Sequence, residues 1–308
     1  MLRSPVVLLV ATAAAFASAA LPAYARDNGG SVAIRGAVKA PTTYSTAQLA
    51  ALPQTSVTVK LGNHQVTDTG VLLETLVTGA SPAYPPNLPN VKNELLRVTA
   101  TVRGNGHNEV TFAIGELDPN FGNHPALLAL TQNGNPVDGG PQLVVPDDRA
   151  PLRSVSGVSE ITVGVATAPA TNTSPSAGSA VVFHAGSGSW PLSSALLNRL
   201  PRETLSVSFQ GPGGSQSHTE VGPPLLESLL FAGIAPTLNT WVAAVGSDNY
   251  VATVTPGEQL VGGRQLQLSL KEDGATLAQP RLVTGGDVKG GRYVSGVVDV
   301  YAGTGPAH

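Results

Sequence analysis

At 308 residues, with 12% charged residues, 35 glycines and 25 prolines, the chain is long for one hydrophobic core and suited to short strands joined by tight turns. Its formal net charge is −3, with Lys and Arg scattered along the chain, so it offers no basic footprint for nucleic acid or an anionic membrane surface. The absence of cysteine excludes disulfides and thiolate metal ligands, and each core must hold itself.

The chain opens with Met1, Leu2 and Arg3, continues through an apolar run from Pro5 to Leu21, and offers Ala23-Tyr24-Ala25 as a small-residue cleavage site. This reads as a signal peptide over residues 1–25, with an uncleaved anchor as the lesser reading. A mature chain beginning near Arg26 is expected in the periplasm or secreted. No later stretch is long and apolar enough to span a bilayer.

A short helix is predicted between Tyr44 and Pro53, capped by Ser45, with Leu49 and Leu52 on its buried side. An alternating strand, Ser56–Leu61, leads to a second helix over Leu72–Ala80, whose stripe Leu73, Leu76 and Val77 has helical spacing. A strand from Leu95 to Val102 follows, then a polar turn, a further strand, a step at Glu116 and a hairpin at Asn133-Gly134, a dipeptide that supplies positive φ. The series closes with Pro141-Gln-Leu-Val-Val-Pro and Arg153-Ser-Val-Ser-Gly-Val.

Residues 165–178 are mostly Ala, Thr, Ser, Pro and Gly without apolar periodicity, a linker composition. After them the same order recurs. A Ser193-capped helix (Leu196, Leu197, Leu200) ends at Pro201, strand Leu205–Phe209 follows, and a helix over Pro224–Gly233 carries the stripe Leu226, Leu229 and Leu230. Then come strand Trp241–Val245, Glu258, the Asp273-Gly274 turn, Pro280-Arg-Leu-Val-Thr and Arg292-Tyr-Val-Ser-Gly-Val. The expected fold is α+β: two tandem β-rich modules, 26–164 and 179–308, with mixed sheets and a few short helices.

The ordered run of Gly62-Asn63, the helix ending at Ala80, Glu116-Leu-Asp-Pro, the Asn-Gly hairpin, Leu143-Val-Val-Pro and Arg153-Ser-Val-Ser-Gly-Val resembles the molybdopterin-binding domain of the sulfite oxidase family. The likeness covers both modules and is strongest from Glu116 to Val163. The resemblance implies a pocket for a pterin or molybdopterin. In that family a cysteine before an Ala-Gly-Asn-like turn ligates molybdenum. The corresponding position here is Lys60 in the first module, and Ser208 or Phe209 in the second. None of these replaces a soft thiolate, so no protein-ligated molybdenum and no metal site are expected. Small exported proteins similar to this family bind reduced pterins without catalysis.

Candidate binding residues follow from these positions. Lys60, Asn63 and His64 surround the Gly turn, where the lysine either meets an anionic ligand group or is a solvated strand end. His107 and Asn108 in one module, and Asp248 and Tyr250 in the other, lie in equivalent turns. Tyr250 could stack on a flat ring and Asp248 could accept two N–H groups of an amino-pyrimidine edge; the same residues also make an ordinary hairpin turn. Arg153 and Arg292 are either structural, paired with Asp147 or Asp287, or shared ligand contacts. Asp118, Asn120 and Asn123 lack the spacing of a calcium loop. No catalytic residues are assigned, because nucleophile-elbow, dinucleotide, Walker and paired-histidine motifs are all missing.

The expected function is an exported, non-catalytic binder of a pterin-like small molecule, read by a periplasmic or membrane-bound protein partner. The alternatives are a molybdopterin-dependent oxidoreductase that holds its cofactor without a cysteine, and an interaction scaffold with vestigial pockets.

Overall fold

The computed structural model describes residues 30–61, 64–211 and 213–308, excepting the side chains of Lys60, Leu61, His64 and His107. The first half contains β1 (Ser31–Gly36), β2 (Thr42–Ser45), α1 (Thr46–Ala50), β3 (Thr55–Leu61), β4 (His64–Leu72), α2 (Leu73–Gly79), β5 (Val98–Arg103), β6 (Glu109–Ala113), α3 (Ile114–Leu117), β7 (Leu127–Gln132), β8 (Asn135–Pro136), β9 (Gln142–Val144) and β10 (Glu160–Val165). The second contains β11 (Val181–Ala185), β12 (Gly188–Leu192), α4 (Ser194–Leu197), β13 (Glu203–Gly211), β14 (Gly214–Gly222), α5 (Leu225–Phe231), β15 (Thr240–Gly246), β16 (Val251–Val254), α6 (Pro256–Leu260), β17 (Leu266–Glu272), β18 (Ala275–Thr284) and β19 (Val297–Thr304). The fold is α+β, mostly sheet with short helices.

Four sheets result. Two have five strands, in the orders β2-β1-β10-β5-β6 and β12-β11-β19-β15-β16. Both are mixed, since β1 runs parallel to β10, and β11 to β19, while their other pairs are antiparallel. The other two are antiparallel: β3-β4-β7-β8 with β9 also on β7, and β13-β14-β17-β18. The strands that close each five-stranded sheet, β10 and β19, lie beside the first strand of their half, so each half is sealed by its own last strand.

Local chemistry accounts for most boundaries. Ser45 accepts from the Gln48 N–H while the Gln48 side chain accepts from the Ser45 N–H, a reciprocal cap that starts α1; Ser193 caps α4 in the same way from one side. The tight hairpins turn through Asn133-Gly134 (φ 50° and 80°) and Asp273-Gly274 (φ 49° and 83°). Leu73, Leu76 and Val77 are buried on α2.

Two expectations are corrected. On α5 the buried residues are Leu225, Ser228 and Leu229, one position earlier than the expected stripe, and Leu230 is 48% exposed. Pro224 opens the helix, and Ser228 can turn inward because its hydroxyl donates to the Pro224 carbonyl at 3.1 Å. The strand expected from Leu95 begins only at Val98; a 3₁₀ turn, Glu94–Arg97, precedes it.

That turn places Arg97 at the junction of the halves. Its guanidinium is buried and donates to three backbone carbonyls, those of Asn90, Ala166 and Asn249. Burial pulls its pKa below the ordinary arginine value, a pull that Glu94 and Tyr250 only partly offset. The segment after β10 is packed rather than free. The Ala170 N–H donates to Asn249 Oδ1, and Thr171 donates through both its N–H and its hydroxyl to Asp299. The chain end folds back on the first half, where the Ala307 N–H meets Thr99 Oγ1 at 2.9 Å and the Val165 N–H donates to the Ala307 carbonyl.

Candidate functional site

A cleft of about 490 Å³ opens where the halves meet. Its walls are aromatic: Phe121 from the first half, and Phe209, Tyr250 and Tyr293 from the second. Phe209, near the end of β13, meets Tyr293 edge-to-face with ring centroids 4.7 Å apart. Its floor is the Gly290-Gly291 backbone. A Cβ on Gly290 would come within 2.6 Å of Phe209 Cε2, and one on Gly291 would strike the Phe121 ring, so only glycine lets the chain pass between these rings.

Tyr250 is held from both sides. Asn93 Nδ2 donates to its hydroxyl at 2.8 Å, and the hydroxyl donates to the Gly291 carbonyl at 2.5 Å. Burial, foremost, raises its pKa, so the phenol stays neutral. Tyr293 is also in the wall, and its hydroxyl is buried and without a hydrogen-bond partner among the described residues. Burial above all, with Asp287 and Glu220 adding to it, raises the pKa of Tyr293 well beyond that of an ordinary phenol. This unpaired donor costs stability unless a ligand or water meets it.

The rim is charged. Asp248 is exposed and lines the opening; its Oδ1 accepts the Tyr250 N–H at 3.0 Å, and its other carboxylate oxygen has no donor among the described residues. Lys92 lies 5.9 Å from the Tyr250 ring centroid, and Lys289 donates to Asn120 Oδ1 at 2.7 Å. The Gln210 N–H donates to Val288, and the Val288 N–H to Phe121, so one strap ties the two aromatic walls together.

Three of the residues singled out in the sequence, Phe209, Asp248 and Tyr250, therefore meet in one cleft. Ser208 does not: it is exposed on the other face of β13, with its hydroxyl accepting from Ser217. Asn108 is exposed beyond the 3₁₀ turn Asn105–His107 and does not line this cleft. Asn63 lies outside the described residues, as do the side chains of Lys60, His64 and His107. Lys92, Asn93, Phe121 and Tyr293 were not anticipated. The first three come from the other half, and no pattern within one half points across to them.

Arg153 and Arg292 are fully buried behind this surface. Arg292 donates to both oxygens of Asp287, at 2.9 and 2.6 Å, and to Glu258 at 2.6 Å. Arg153 donates to both oxygens of Asp148, at 2.9 and 2.6 Å, and its Nη1 lies 2.7 Å from Glu116 Oε1 without aligned hydrogen-bond geometry. The partner is thus Asp148 rather than Asp147, while Asp287 is as expected. Burial lowers both arginine pKa values, and the paired carboxylates outweigh it and raise them. Each guanidinium is spent on internal carboxylates, which favours the structural role.

These two centres also interlock. The Arg292 stem packs on Gly115 beside Glu116, and the Arg153 stem packs on Gly257 beside Glu258. Each arginine therefore covers the short helix of the opposite half.

Among the described residues no group of three or more His, Asp or Glu side chains is placed to hold a metal ion. The Phe209 ring offers no metal donor, whereas stacking faces and a rim carboxylate suit a flat heterocycle.

No protein-family model matches the chain, and no curated protein matches it. Among solved structures it is similar to the sulfane dehydrogenase SoxCD from Paracoccus pantotrophus, at 13% identity and a TM-score of 0.35, over 82% of this chain and 69% of that one. The likeness is distant.

Proposed function

We propose that the chain is an exported, non-catalytic binding protein, built from two copies of one module, that takes a pterin-like ring in the cleft between its halves. The observation that carries this reading is the convergence of Phe121, Phe209, Tyr250 and Tyr293 on one opening with a carboxylate and two ammonium groups at its rim. A fused pyrimidine presents two flat faces to such walls, and its amino edge presents two donors to a carboxylate such as Asp248. Lys92 and Lys289 would meet an anionic substituent on the ring. Phe209 lines the opening without closing it, which weighs against a vestigial pocket. A periplasmic or membrane-bound partner would read the bound state at the exposed rim.

Calorimetric titration of the mature protein with tetrahydropterin and oxidised pterin tests this. Saturable binding at one site per chain is expected, weakened roughly tenfold or more by Phe209→Ala or Tyr250→Ala. Absence of saturable binding by either pterin overturns the reading.

A further inference from the structure

The outer face of the β12-β11-β19-β15-β16 sheet carries a second cleft, of about 530 Å³, roofed by Ala166–Ala168. Its character differs from the first. Much of the lining is Ala and Gly, and no Lys, Arg, Asp or Glu lines it among the described residues. Two histidines do line it, His184 and His308, the latter edge-on to Trp241 with ring centroids 5.6 Å apart. A cation would lose its hydration here with no carboxylate side chain to meet it, and the aliphatic and aromatic lining favours an uncharged ligand.

Two polar groups are fixed in its wall. Trp241 on β15 is 3% exposed, and its indole N–H is buried without a hydrogen-bond partner among the described residues. His184 on β11 is held in one orientation: its Nε2 lies 2.8 Å from Oδ1 of the fully buried Asp299, and its ring stacks on Tyr301 at 4.3 Å, 10° from parallel. Asp299 also accepts from the Thr171 N–H and hydroxyl, both at 2.7 Å. This fully engaged carboxylate places the His184 proton on Nε2 and leaves Nδ1 as the ring's free nitrogen. Burial, then Asp299, pushes the Tyr301 hydroxyl up to about 12, so that wall stays neutral.

A donor without an acceptor and an oriented ring nitrogen thus stand on strands separated by β19 and two residues out of register, His184 opposite Tyr301 and Trp241 opposite Gly303, which puts their backbones about 12 Å apart. Between them the floor is Ala243 and Gly303, with the Tyr301 ring beside His184. We propose that this second cleft is a binding site for a small uncharged aromatic molecule with a carbonyl at one end, accepting from Trp241 Nε1, and a hydroxyl at the other, donating to His184 Nδ1. One substituted ring has the length to bridge the two groups. The buried N–H then gains the acceptor it otherwise lacks, the contribution that makes such a site specific.

The test uses the full mature chain, ¹⁵N-labelled, with Trp190→Phe so that a single indole N–H reports, and 4-hydroxyacetophenone as the probe. A saturable downfield shift of the Trp241 indole proton is expected. It should weaken by about fivefold in His184→Ala and be lost in Ala168→Phe, where the roof fills the cleft without altering the sheet. Phe209→Ala and Tyr250→Ala should leave the shift unchanged, which separates this site from the proposed pterin cleft whatever the fate of that reading. No saturable shift up to roughly 10 mM probe, or a shift that persists fully in Ala168→Phe, overturns the proposal.

Discussion

Arg292 and Arg153 occupy matching places, and their surroundings separate at one residue. Around Arg292, Glu258 is fully engaged: it accepts from the guanidinium and from the Thr255 N–H at 3.1 Å. Around Arg153, the matching Glu116 has no aligned hydrogen bond on either oxygen. The local sequences explain the difference. Thr255 lies past the end of β16, where its N–H can turn to Glu258, whereas the matching Ala113 is still within β6, paired with Thr99. Glu116 is pushed up to about 7, above all by burial, against the pull of Arg153 and with a smaller push from Glu258. One more strand residue separates a hydrogen-bonded carboxylate from one without an aligned donor.

The largest test of this contrast is removal of each arginine. Arg292→Met strands two buried carboxylates and should cost about 3–5 kcal/mol in urea unfolding. Arg153→Met should cost about 1–2 kcal/mol less, because Glu116 can go neutral and His124, 3.1 Å from Asp148 Oδ1, remains as a partner. Equal losses would mean that the two centres do not differ in energy.

Next comes pH. A carboxyl whose folded pKa lies above its unfolded value binds more protons in the folded state between the two. Stability should therefore fall as pH rises from about 4.5 to about 7, by something on the order of 3 kcal/mol. Urea midpoints measured across that window should drop for the native chain and stay flatter for Glu116→Gln; parallel curves would refute the assignment.

The smallest contrast is steric. A Cβ on Gly115 would come within 2.8 Å of both Arg292 Cδ and Leu96 Cδ2, while one on Gly257 would stand 3.1 Å from Arg153 Cδ. Gly115→Ala should destabilise by about 1–3 kcal/mol and Gly257→Ala by less. Thermal melts of the two variants give the order directly.

Local features were legible in the sequence wherever a residue acts on its own neighbours. Ser45 and Ser193 cap their helices, and Asn133-Gly134 and Asp273-Gly274 turn their hairpins because the chemistry lies within four residues. The α5 stripe lies one position from its expected place because Leu225, Leu226, Leu229 and Leu230 fit two adjacent helical faces equally, and only the Ser228 hydroxyl bond to Pro224 separates them. The cleft was half legible. Phe209, Asp248 and Tyr250 stood out by position and chemistry, while Lys92, Asn93 and Phe121 reach it only through packing between the halves. Asp148 and Asp147 are adjacent in sequence, and only the direction of the loop selects the one that meets Arg153.

The segment joining the halves has the composition of a tether and the contacts of a strap. Ala166 is bound to Arg97, Ala170 to Asn249, Thr171 to Asp299, and the Pro169 carbonyl to the Tyr301 hydroxyl. To a protease such a chain is two substances in one: Ala166–Ala168 are covered by the sheet beneath them, and the exposed Thr171–Ser174 stretch is the accessible place to cut. A nick there would part the polypeptide and leave the molecule whole, because both new ends stay fastened to the half they cross.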